Sequence, residues 1–146
     1  MSELFDACKN GNFDNVKSLI ENGADVNEKN KWKETPLHIA CMYGHVDIVK
    51  LLIEKNADVN AKDRDDYTPL HYACYYSVDI VKLLIGNNAD VNLKNIYEQT
   101  PLHIACSYGY VDIVKLLIKN KYIVNNVIKY KSMKIILNYN TNLKYC

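Results

Sequence analysis

Glycine is scarce in this chain. Only five occur in 146 residues, and none cluster into a loop that could cradle phosphate through successive backbone N–H groups. Glycine-loop nucleotide chemistry therefore has no foothold. Proline is scarcer, and all three copies stand in the same tetrapeptide, TPLH. The five cysteines are odd in number and too thinly spread for a disulfide scaffold, which fits a reducing compartment. No run of 18 apolar residues exists, so the sequence holds no candidate membrane-spanning helix. The N-terminal stretch MSELFDACKNGNFDN is polar and acidic and lacks the apolar segment of a signal peptide. The expectation is a chain that stays inside the cell, in the cytoplasm or the nucleus.

Enough apolar residues are present for a core, at 49%. The length suits one compact domain or a short repeat array. The net charge of +1 is unevenly placed. Residues 1–118 hold 12 basic and 17 acidic side chains, whereas 119–146 hold six Lys and no acid. An acidic body thus carries a basic tail.

The body repeats itself. TPLHIAC stands at 35–41 and at 100–106, with TPLHYAC at 68–74. VDIVKLLI occurs at 46–53, 78–85 and 111–118, and ADVN at 24–27, 57–60 and 89–92. Cys8, Cys41, Cys74 and Cys106 are 33, 33 and 32 residues apart. The first unit is plainer but in register, with SELFDAC for TPLHIAC and FDNVKSLI for VDIVKLLI.

His and Cys three apart on a helix suit a pair of metal ligands, or a thiol nucleophile and its base. Equivalent residues of stacked units lie roughly 8–10 Å apart. The ligands of one zinc ion must converge to within ~2.0–2.3 Å of it. His38, His71 and His103 thus form a ladder rather than a site. A Cys–His nucleophile would need a cleft and an oxyanion hole, which no elbow-like segment offers. The plainer reading has His fix each helix start and Cys serve as a small buried apolar residue. The acids Asp25, Asp58, Asp90, Asp47, Asp79 and Asp112 recur at repeat positions. That suggests solvated or capping roles.

T-P-L-H-x-A, G-H-V-D-I-V-K-L-L-I and A-D-V-N at a period of 33 resemble the ankyrin repeat family. The likeness covers about five-sixths of the chain. It implies an all-α solenoid of stacked helix-turn-helix units with short β-hairpin fingers. Four repeats are expected over residues 1–125, at about 2–30, 31–63, 64–95 and 96–125. Thr35 is a good N-cap and Pro36 a good first helical residue. VDIVKLLIEK predicts a second helix with Val46, Val49, Leu52 and Ile53 on one stripe. Gly23, Asn56 and Asn88 then supply left-handed stops.

The resemblance implies a non-catalytic protein-binding module, whether inhibitor, adaptor or scaffold, with no cofactor and no metal. The partner would be another protein, met by a monomer away from any membrane. Nucleic acid or an anionic surface bound by the basic tail is the alternative. Finger tips and exposed ends of the first helices would line a concave face. Unit two contributes Lys31, Trp32, Glu34, Met42 and Tyr43. Unit three contributes Arg64, Asp65, Tyr67, Tyr75 and Tyr76. Unit four contributes Ile96, Tyr97, Gln99, Ser107 and Tyr108. Seven of the fifteen are Trp or Tyr, against 10% aromatic overall, and such residues dominate binding hot spots. The family's asparaginyl hydroxylation pattern falls on Asn27, Asn60 and Asn92.

Three departures stand out. Lys33, Asp66 and Glu98 replace the usual finger glycine, which predicts less regular fingers. Unit three lacks one residue and the Gly in its turn, which predicts a tightened turn, or one that re-aims Tyr75 and Tyr76. Residues 126–146 look like a degenerate partial fifth repeat. Apolar Ile128, Met133, Ile135, Ile136 and Leu137 would cover the open end of the stack as a C-terminal cap, made basic by six solvated lysines around it.

Overall fold

The computed structural model describes residues 2–125. Among them stand eight helices and no strand. These are α1 (Glu3–Asn10), α2 (Phe13–Glu21), α3 (Pro36–Tyr43), α4 (Val46–Glu54), α5 (Pro69–Ala73), α6 (Val78–Gly86), α7 (Pro101–Ser107) and α8 (Val111–Asn125). Neighbours in sequence pair: α1 with α2, α3 with α4, α5 with α6, α7 with α8. First helices also touch in succession, α1 to α3 to α5 to α7, and second helices likewise, α2 to α4 to α6 to α8. The fold is therefore two rows of helices, an all-α solenoid in which each unit contacts its neighbours.

Each TPLH start is built the same way. Thr35, Thr68 and Thr100 are extended N-caps followed by Pro at the first helical position, where its missing N–H costs nothing. The first helices of units one, two and four end in a left-handed glycine: Gly11, Gly44 and Gly109 at φ of 68°, 76° and 71°. Across those turns Asn12 N–H reaches Ala7 O, His45 N–H reaches Ala40 O and Tyr110 N–H reaches Ala105 O, all spanning five residues. In unit three Ser77 N–H reaches Ala73 O, spanning four. The missing residue has thus removed the left-handed step and cut α5 to five residues. The tightened turn is what the structure has.

The second helices of units one to three end in the left-handed Gly23, Asn56 and Asn88. Unit four has Lys121 there. With no stop residue, α8 runs on to Asn125 and reaches 15 residues, where its counterparts have nine.

The core repeats with the units. Leu4, Leu37 and Leu70 are fully buried, as are Cys8, Cys41 and Cys74, then Val16, Val49, Val81 and Val114. Burying side chains of this size contributes about 1.5–3 kcal/mol each. The stripe predicted for α4 is corrected. Ile48, Val49, Leu51 and Leu52 are the buried residues. Val46 is exposed and Ile53 only half-buried. A second helix in a stack meets its own partner and the second helices on both sides. Its buried arc is wider than one stripe and centres on Ile48. The expected cap lies at 126–146, outside the described residues.

Candidate functional site

Each finger is a single tight turn. Asn30 N–H donates to Glu34 O, Asp63 N–H to Tyr67 O and Asn95 N–H to Gln99 O, all at 3.0 Å. Inside the turn one side-chain oxygen accepts two backbone N–H groups. Asn30 Oδ1 takes those of Trp32 and Glu34, Asp63 Oδ1 those of Asp65 and Tyr67, and Asn95 Oδ1 those of Tyr97 and Gln99. The glycine-less positions Lys33, Asp66 and Glu98 adopt φ of 62°, 60° and 61°. The predicted irregularity is therefore corrected. The Asx bonds hold all three fingers in one geometry despite a cost of roughly 1–2 kcal/mol per left-handed residue. One backbone bond links each finger to the next: Arg64 N–H to Trp32 O at 2.9 Å, and Ile96 N–H to Asp65 O at 3.0 Å. No β-ladder forms among the described residues.

The histidines bind unit to unit. Thr35 N–H donates to His38 Nδ1 at 3.0 Å, and Thr35 Oγ1 lies 2.8 Å from the same nitrogen. His38 Nε2 lies 3.1 Å from Tyr67 O, and His71 Nε2 lies 3.1 Å from Gln99 O. A carbonyl only accepts, so the proton sits on Nε2 and Nδ1 is the acceptor. Burial lowers His38 to about 4. It lowers His71 too, against the raising effect of the bond to Gln99. Both ring nitrogens are engaged, which leaves no lone pair for a metal. Burial likewise pushes the Cys8 thiol up to about 12 and raises Cys41 and Cys74. The thiolate a nucleophile needs is disfavoured. No group of three or more metal-ligating side chains occurs among the described residues.

The asparagines of the ADVN motifs make a second ladder. Asn27 Nδ2 donates to Asn56 O and its Oδ1 accepts from Asp58 N–H. Asn60 repeats this with Asn88 O and Asp90 N–H. Asn92 is half-buried, and its N–H donates to Asp90 Oδ1 at 2.8 Å.

The fifteen face residues divide into four groups. Trp32, Arg64, Asp65, Ile96 and Tyr97 stand exposed on the fingers. Lys31 Nζ lies 4.1 Å from the centre of the Trp32 ring, a cation–π contact, and Arg64 donates to Lys31 O at 3.1 Å. Tyr43, Tyr76, Ser107 and Tyr108 are exposed at the far ends of the first helices, with Met42 half-buried there. An eight-residue helix such as α3 puts about 12 Å between the two groups. The structure thus separates the single predicted face into two strips. Glu34 and Gln99 belong to neither. Their side chains accept from Asn30 Nδ2 and Asn95 Nδ2 within the fingers.

Tyr67 and Tyr75 bridge the strips in unit three. Burial raises the pKa of both, Tyr75 to about 12. Tyr75 meets Tyr108 edge-on with ring centres 4.9 Å apart, and Tyr76 lies 5.9 Å from Tyr75. Two residues that sequence reasoning missed complete the network. Tyr110 stacks on Tyr108 at 6.3 Å. Tyr72 donates from its hydroxyl to Asp63 Oδ2 at 2.7 Å, which with burial raises its own pKa. Tyr110 sits two residues after Tyr108 across a left-handed Gly, as His45 sits after Tyr43, and those rings also stack. That shared Tyr-Gly-aromatic spacing was a signal.

No helix among the described residues is long and apolar enough to cross a membrane. No curated protein matches the chain significantly. A family model described as ankyrin repeats (3 copies) matches residues 4–95 and again 77–143. With that match on a two-row helical stack capped by TPLH, the chain belongs to the ankyrin repeat family.

Proposed function

We propose that this chain is a non-catalytic module that binds another protein through its aromatic strips, as an inhibitor, adaptor or scaffold. Ankyrin repeats are in general protein–protein interaction modules. One observation carries the more specific reading. Among the described residues, the exposed large apolar ones are Trp32, Tyr43, Val46, Tyr76, Ile96, Tyr97, Tyr108, Tyr110 and Val111. Every one of these lies on a finger or at the turn between paired helices. Solvation alone would scatter them. Trp and Tyr are the anchors that bury large area at low entropic cost. Ring-to-ring contacts hold the turn strip in place before any partner arrives, which lowers the cost of binding. The module acts as a monomer inside the cell, with four repeats over 1–125.

The test captures partners on the full chain from its native cells, identifies them, and titrates one purified partner. Trp32→Ala with Tyr97→Ala, and separately Tyr76→Ala with Tyr108→Ala, should each weaken binding at least tenfold with little change in melting temperature. Lys17→Ala with Lys50→Ala, on exposed parts of the second helices, should not. Equal affinity for wild type and both aromatic pairs would overturn the reading.

A further inference from the structure

We infer, resting on the protein-binding reading above, that the finger of unit two docks an acidic segment of the partner protein, a run of Asp and Glu beside an apolar side chain. Lys29, Lys62 and Lys94 hold one position in the three fingers, and Lys33, Asp66 and Glu98 hold another, four residues on. In units three and four the two positions form an ion pair, Lys62 with Asp66 at 3.4 Å and Lys94 with Glu98. In unit two both positions are lysine. The backbone is the same, with Lys33 at φ 62° beside 60° and 61° for its counterparts. One turn geometry thus sets two like charges where its copies set opposite ones.

Two more cations join them. Lys31 Nζ lies over the Trp32 ring, 4.1 Å from its centre. Arg64 reaches back from the next finger and donates to Lys31 O at 3.1 Å. All four cations are exposed. The acids of the same finger are engaged elsewhere, Glu34 with Asn30 Nδ2 at 2.7 Å and Glu28 with the Ser2 hydroxyl. Among the described residues no carboxylate oxygen lies within 4.0 Å of a charged nitrogen of Lys29, Lys31, Lys33 or Arg64. Cations gathered without a counter-charge attract carboxylates and speed their encounter. The Trp32 ring, 43% exposed, adds the apolar anchor.

The strip favours a peptide over a nucleic acid. Successive units lie roughly 10 Å apart. One step along, unit three presents the exposed Asp65, and unit four presents Glu98 in its ion pair. The unpaired positive charge is therefore about one finger wide. A nucleic-acid strand carries a phosphate at every nucleotide and would run onto Asp65. A segment that is acidic at one end and apolar beyond meets Trp32, then Ile96 and Tyr97, without that conflict. Several carboxylates suit the site better than one phosphate. Lysines are separate point charges on flexible stems, and Arg64 has turned part of its fork to Lys31 O.

The test uses the full chain and a synthetic Glu-rich peptide with a central Leu. Trp32 is the single tryptophan, so its indole N–H gives one nuclear magnetic resonance signal that reports on this finger. The peptide should shift that signal, and added salt should weaken the binding. Lys33→Asp copies the ion-pair pattern of the other two fingers, and Asp accepts the left-handed backbone better than Lys, so the fold should hold. Each exposed ion pair is worth up to about fivefold in affinity. Lys33→Asp with Lys31→Gln should therefore weaken peptide binding ~10-fold or more, with little change in melting temperature. An indole signal that the peptide leaves unmoved would overturn the inference. So would wild-type affinity in the lysine variant, which would place the peptide on other lysines, such as those at 119–146. An oligouridylate that shifts the indole at lower concentration than the peptide would also overturn it, in favour of nucleic acid. The captured partner protein separates this inference from the reading beneath it. Affinity lost with Trp32→Ala and Tyr97→Ala but kept in the lysine variant would remove the acidic segment and leave the protein-binding module standing.

Discussion

Acid should loosen this stack through its histidines before its carboxylates titrate. His38 is fully buried and its pKa in the fold is lowered to about 4. The unfolded value is about 6.5. The neutral ring is thus the folded form, and protonation of Nδ1 would set an N–H against the Thr35 N–H it now accepts. A depressed folded pKa contributes stability that is fully present above about 6.5. That contribution is lost as pH falls toward 4. From pH 7.5 to 5 the loss from His38 alone is about 2 kcal/mol, and by pH 4 about 3 kcal/mol, at ~1.4 kcal/mol per unit. His71 shifts in the same direction and adds to it. Against a total stability of roughly 5–15 kcal/mol this is a large fraction. Urea unfolding followed by circular dichroism, and by the fluorescence of Trp32, the single tryptophan, should show the unfolding free energy falling between pH 6.5 and 5. Exposed carboxylates titrate mostly below that window. His38→Gln with His71→Gln should flatten the slope, since Gln at this helix position can accept from the N-cap N–H but does not titrate. The variant should lose about 1 kcal/mol per missing inter-unit bond at pH 7.5. A wild-type curve that is flat from pH 6.5 to 5, or a variant with the wild-type slope, would refute the reasoning.

Gly11→Ala should lower the melting temperature more than Gly44→Ala, although both glycines are left-handed. A Cβ at Gly11 would lie 2.6 Å from His45 Cε1, whereas one at Gly44 meets nothing within 4 Å. Gly44→Ala should cost about 1–2 kcal/mol of backbone strain and Gly11→Ala measurably more. Tyr72→Phe strips the buried Asp63 of its partner for Oδ2. It should cost about 1–3 kcal/mol by urea unfolding, while Tyr110→Phe, at an exposed ring, should be close to neutral. Asparaginyl hydroxylase should add single oxygens at Asn27, Asn60 and Asn92, read by peptide mass. Because Asn27 and Asn60 are tied to the next unit, the yield should rise when mild urea loosens the stack, and absence of any shift there would count against the assignment.

The period made the layers legible, because a motif that recurs every 33 residues must occupy one place in every layer. Cys and His in TPLHIAC were readable as architecture on spacing alone. What spacing did not disclose is what each His does with its second nitrogen. That depends on the carbonyl of Tyr67 or Gln99, which lies 28 or 29 residues onward and comes into reach only by stacking. Val46 was misplaced for a related reason. Helical periodicity ranks residues by one apolar face, but α4 is covered on several sides, and that places Ile48 and Leu51 inside. The fingers proved regular without glycine because Asn30, Asp63 and Asn95 sit at the one position whose side chain can hold the turn. Unit three then shows how a small change propagates. Where Asn30 and Asn95 turn their amide groups to Glu34 and Gln99, Asp63 has no N–H to offer, and Tyr67 stands in the place of those acceptors. The carboxylate takes the hydroxyl of Tyr72 instead. Tyr67 packs against the rings of His71 and Tyr72, with centres 5.4 and 5.5 Å away. The missing turn residue puts Tyr75 against Tyr108. One acid for amide, one aromatic for acceptor and one deletion together set unit three apart from its neighbours.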